Sequence, residues 1–67
     1  MKLVSGRAIV KALERKGFNL VRVKGSHHHY FKQGIGLVTV PVHGNHTLKP
    51  TTQRSIMRHA GLTDIDL

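Results

Sequence analysis

Three consecutive histidines, His27, His28 and His29, follow a Gly25-Ser26 pair, and two cations, Arg22 and Lys24, stand just before it. Imidazole can take or give a proton near neutral pH, and fixed cations beside it hold and neutralise anionic oxygens. Together these groups suit acid–base cleavage of a phosphodiester. RNA supplies its own nucleophile for that reaction, so the work left to a side chain is to take a proton from the 2′-hydroxyl or give one to the leaving oxygen. The expected product end is a 2′,3′-cyclic phosphate. The residues alone leave open whether the histidine acts as acid or as base.

Which histidine would act depends on the element that presents it. Gly25-Ser26 reads as a two-residue hairpin turn, with glycine at the first position suiting type II′. Lys24 then lies opposite His27, Val23 opposite His28, Arg22 opposite His29 and Val21 opposite Tyr30. Successive strand residues point to opposite faces. His28 and Tyr30 therefore share a side with Val21 and Val23, the side expected beneath the helices, and His28 is expected to pack. His27 and His29 share the open side with Arg22 and Lys24. His27 is the candidate for proton transfer, and Arg22, Lys24, Ser26, His29 and Lys32 are candidates for contact with RNA.

A metal site is the competing use of these histidines. Zinc asks for three or four converging ligands, and alternation on a strand lets at most His27 and His29 share an ion. The chain has no cysteine, and its only acids, Glu14, Asp64 and Asp66, lie outside the hairpin. No metal or other cofactor is expected. His43, His46 and His59 are scattered further along. The run Pro41-Val42-His43-Gly44-Asn45-His46 is either a connection or a second contact loop, and Lys49, Arg54 and Arg58 are either a solvated helix face or a stripe that grips a backbone.

The elements that must position these residues follow from periodicity. Ser5 can cap a helix of roughly Gly6 to Lys16, with Ile9, Ala12, Leu13 and the stem of Lys16 at helical spacing, Val4 stapled to Ile9, and Gly17 ending it. Phe18 to Lys24 alternates as a strand, His27 to Lys32 returns, and Leu37 to Val42 is a β-branched third strand with Pro41 near its end. Pro50 suits the first turn of a second helix with Ile56, Met57 and Ala60 on its apolar side, closed by Gly61. Thr63 to Asp66 resembles the start of another helix, too short to matter. The order helix, three-stranded meander, helix predicts an α+β two-layer domain spanning residues 1–67, with both helices on one face of an antiparallel sheet.

Composition bounds the rest. Sixty-seven residues at 39% hydrophobic content allow one small core and no deep pocket, so chemistry is expected at the surface. Eleven Lys and Arg against three acids give a formal charge of +8, the balance of a polyanion binder. With no Trp and 4% aromatic residues, a base-stacking platform is poorly supported. The absence of cysteine, of a signal-like apolar run and of a membrane-length segment points to a cytoplasmic setting.

Four segments in order, Gly25-Ser26-His27-His28-His29-Tyr30, Val38-Thr39-Val40-Pro41, Leu48-Lys49-Pro50-Thr51-Thr52 and Ile56-Met57-Arg58-His59-Ala60-Gly61-Leu62, resemble the HicA family of toxin–antitoxin systems over nearly the whole chain. The resemblance implies an α-β-β-β-α fold similar to double-stranded RNA-binding domains. It implies a metal-independent endoribonuclease that cuts mRNA and so inhibits translation, with the histidine directly after Gly-Ser, His27, as catalytic residue. It also implies a HicB-type antitoxin that masks the active face. Two other readings use the same residues: a module that grips double-stranded RNA without cutting it, and a small protein whose basic surface serves an acidic partner.

Overall fold

The computed structural model of the protein describes all residues from Met1 to Leu67. Ser5 begins the first helix, α1 (Gly6–Arg15), by accepting the Ala8 amide on its side-chain oxygen at 3.2 Å. The helix buries Gly6, Ile9, Ala12 and Leu13. It ends in a reciprocal cap: Gly17 N–H donates to Glu14 O at 3.1 Å and Phe18 N–H to Leu13 O at 3.0 Å. Phe18 and Leu13, both buried, add the apolar contact typical of that cap.

Three antiparallel strands follow in the order β1 (Asn19–Lys24), β2 (His27–Lys32), β3 (Gly36–Pro41), and then α2 (Pro50–Ala60). Pro50 occupies the first turn of α2, and Gly61 closes it in the left-handed conformation. Both helices pack against the sheet, chiefly over β3. The core joins Ile9, Ala12 and Leu13 of α1 to Tyr30, Val38 and Val40 of the sheet and to Ile56, Met57 and Ala60 of α2. This is the α+β arrangement that the order of the elements predicts.

β1 departs from expectation. Its pairing runs Asn19 to Phe31 and Leu20 to Tyr30, then jumps to Arg22 with His29, Val23 with His28 and Lys24 with His27. Val21 is the extra residue of a bulge, and Tyr30 faces Leu20 instead. The bulge breaks the alternation, so Leu20 joins Val23 on the helix side while Asn19 joins Arg22 and Lys24 on the open side. Val21 drops out of the pairing, and Val23 keeps to the helix side as expected but remains 50% exposed. Every residue of β1 is exposed, because the helices cover β3 and β2 and leave this edge strand bare.

The C-terminal residues also do more than expected. Asp64–Asp66 form a short 3-10 turn in which the Asp66 carboxylate accepts the Thr63 amide at 2.7 Å. The same carboxylate pairs with Lys16 Nζ at 3.1 Å, and the Asp66 carbonyl accepts from Arg15 Nη2 at 2.7 Å. These bonds tie the last residues to the end of α1. Lys16 therefore spends its ammonium on Asp66 and stands exposed beyond the helix, where an aliphatic stem packed in the core was expected. The Thr63 hydrogen bond, and then the Lys16 ammonium, hold the Asp66 carboxyl below its ordinary value.

Candidate active site

The hairpin forms as its turn residues dictate. Gly25 has φ +59° while Ser26 keeps negative φ, the combination of a type II′ turn, and Lys24 and His27 close it as a cross-strand pair. On the other side of β2, His27 pairs with Pro41, His28 with Val40, His29 with Thr39 and Tyr30 with Val38. Residues directly opposite share a face. Tyr30, Val38 and Val40 are buried under the helices, so His28 is on that face. His27 and His29 are on the other.

The three imidazoles thus have three environments. His28 is half-buried, and its Nδ1 donates to the Ser26 carbonyl oxygen at 3.3 Å. His29, also half-buried, shares a 2.8 Å hydrogen bond between Nδ1 and the Thr39 hydroxyl. His27 is exposed, and no side-chain hydrogen bond of this kind engages its ring. Beside it stand Lys24, its cross-strand partner, and Arg22, the partner of His29. The structure therefore brings His27, His29, Arg22 and Lys24 together on one open face. Ser26 adjoins them at the turn, and its carbonyl oxygen also accepts the Val42 amide at 2.7 Å.

Lys32 stands apart. Five residues along β2 from His27 is about 17 Å, and its parity puts it on the helix side. Its Nζ lies 5.7 Å from the centroid of the Phe18 ring, a cation–π contact at the foot of α1. Tyr30, on the same face, donates its hydroxyl to the Glu14 carboxylate at 3.0 Å. Burial, then this bond and the Glu14 charge, push its phenol up to about 12.

Several neighbours of the open face were not singled out in the sequence. Thr39 holds His29 and sits at the outward position between Val38 and Val40, so alternation in the third strand was a sufficient signal for it. Phe31 and Leu37 pair across the sheet on the His29 side and remain 41% and 52% exposed. A cleft between β3 and α2, lined by the loop that carries His43 and His46, was unforeseen in a chain this small. No three His, Cys, Asp or Glu side chains converge as a metal ligand set. No helix is long and apolar enough to cross a membrane.

An exposed imidazole flanked by two cations, on a face that no helix covers, can transfer protons at a phosphodiester carried by a long polymer. A family model described as HicA toxin of bacterial toxin-antitoxin matches residues 6–62. No curated protein matches the chain.

Proposed function

The chain belongs to the HicA toxin family of bacterial toxin–antitoxin systems, and from that premise we propose that it is an endoribonuclease that cuts mRNA without a metal, through His27. The observation that supports this most is the placement of the His27 ring: solvent-facing, outside the core, with Lys24 across the strand pair. The 2′-oxygen attacks phosphorus as its proton departs, and the P–O5′ bond breaks as that oxygen gains a proton. A 2′,3′-cyclic phosphate and a 5′-hydroxyl result. His27 handles one of the two proton transfers, while Lys24 and Arg22 stabilise the charge that gathers on the phosphoryl oxygens. Ser26 and His29 flank the bound strand.

The antitoxin of such a system must stop this reaction. We assign its docking to the open sheet face, where a HicB-type partner would cover His27 and bury the exposed Phe31–Leu37 pair in the same step.

Substitution of His27 by Ala should abolish RNA cleavage and growth inhibition while leaving RNA affinity and the unfolding temperature nearly unchanged. Cleavage by the unmodified protein should persist in EDTA. A fully toxic His27→Ala variant sinks the assignment, and loss of cutting in chelator sinks the metal-free chemistry. Binding of double-stranded RNA without any cutting would instead make the chain a non-catalytic RNA-binding module.

A further inference from the structure

Beside the hairpin the surface opens into a cleft of about 350 Å³, walled by Pro41, His43, His46, Thr47, Lys49 and Thr52. Its position is fixed by the backbone. The His46 amide donates to the His43 carbonyl at 3.0 Å, closing a turn that holds the two histidine Cα atoms within about 7 Å. Thr47 bridges to Ser5, the Leu48 amide donates to Val4 O at 2.9 Å, and the Leu48 side chain is buried, which pins the far wall. The near wall belongs to the candidate active site. Pro41 is the cross-strand partner of His27, one strand spacing of about 4.8 Å away, and Val42 holds the Ser26 carbonyl at 2.7 Å.

The charge of the lining residues is of one sign. His43, His46, Lys49, Thr47 and Thr52 line it with no acidic residue among them, and Leu48 is its one hydrophobic residue. Such a set selects an anion with several oxygens. No Phe, Tyr or Trp lines it, and its cation and hydrogen-bonding groups match the oxygens of a sugar-phosphate. The volume is at the small end of ligand sites and accommodates one nucleotide unit, with no room for a duplex.

We propose that this cleft is a second RNA subsite, seating the ribose-phosphate of a nucleotide that flanks the bond cut at His27, with Lys49, His43 and His46 as the groups that hold it. The subsite rests on the nuclease reading for its role in cutting, and it makes separate demands on binding. An RNA chain leaving His27 past Pro41 enters the cleft within one residue's length.

The His27→Ala variant leaves RNA intact and so serves as the background for the test. A short single-stranded oligoribonucleotide is titrated against it with and without Lys49→Ala, His43→Ala or His46→Ala, all at exposed positions. Each added substitution is expected to weaken binding about tenfold, and Lys49→Ala to reduce the salt slope of the affinity by about one. Lys11→Ala, an equal loss of charge on the exposed side of α1, is expected to change affinity less than about twofold. Equal affinities for the cleft variants and the Lys11 control overturn the subsite. Should a cleft variant fail to fold, the imidazole NMR signals of the unmodified chain decide. A 2′-O-methyl oligoribonucleotide, which cannot be cut, should move those of His43 and His46, and movement of His27 alone overturns the proposal. Failure of the nuclease reading is a different result: the unmodified chain then cuts no RNA at all.

Discussion

Replacing Gly6 with alanine tests how the first helix, the third strand and the Gly25-Ser26 turn are joined. Gly6 is buried in the first turn of α1, against the end of β3. A Cβ built there runs into the Pro41 carbonyl oxygen, with the Pro41 carbonyl carbon at 3.1 Å and Val42 Cα at 3.2 Å. All three obstacles are backbone, so no side-chain rotation relieves them. Alanine's helical preference returns about 0.5–1 kcal/mol, whereas overpacking against a fixed neighbour costs about 1–3 kcal/mol. The displaced segment includes Val42, whose amide holds Ser26, and straining that bond adds about 1 kcal/mol. The net loss is about 1–3 kcal/mol, a fall of roughly 5–20 °C in Tm for a domain of this size. Thermal unfolding followed by circular dichroism reads the global effect. Hydrogen exchange at the Val42 amide reads the local one, which should lose protection beyond the global change. An unchanged or raised Tm refutes the reasoning, because it means that β3 yields at no cost.

Other expectations concern groups that bond across the core. Tyr30→Phe removes the bond to Glu14 and should cost about 1 kcal/mol. Because the Tyr30 phenol is raised from 10.0 to about 12, its contribution is fully present below pH 10 and lost as pH climbs towards 12. Parallel alkaline stability curves for Tyr30→Phe and the unmodified chain would contradict this. Gln53→Leu strands the Val4 amide and the Lys2 carbonyl that the Gln53 side chain now satisfies, at 2.9 and 2.6 Å, and should cost about 2–3 kcal/mol by urea unfolding. No shift in the urea midpoint would count against the burial of that network. The Asp66 carboxyl is depressed, so its contribution is present above the ordinary carboxylate range and lost as pH falls through the lowered value. Asp66→Asn should remove that acid-side dependence and speed exchange of the Leu67 amide, and an unaltered acid limb speaks against the Thr63 hydrogen bond and the Lys16 pairing together.

What could be read from the sequence was what depends on near neighbours in the chain. Ser5, Gly17, Gly25-Ser26, Pro50 and Gly61 act within a few residues of themselves, and each does in the structure what its type predicts. The open-face grouping of His27 and His29 with Arg22 and Lys24 follows from the turn alone. The bulge at Val21 does not, since nothing in Asn19–Lys24 distinguishes an unpaired residue from a paired one. The distance of Lys32 from His27 has a related cause: its parity on β2 was readable, but its approach to Phe18 depends on where α1 ends. Gln53 looks like any polar residue on a helix, and only the return of Lys2 and Val4 beside it explains a fully buried amide. Gly6 resembles an ordinary helix start until the end of β3 comes within reach.

The Gln53 network also orders events in time. Its bonds join residues 49 and 51 positions apart, whereas the hairpin that presents His27 closes over two. A hairpin assembles in about 1–10 μs, while distant partners meet only after a long loop has been closed. In the order of synthesis the histidine strand precedes Gln53. The hairpin that carries His27 can therefore form from its own residues, while the amino terminus stays unfastened until the second helix clasps it.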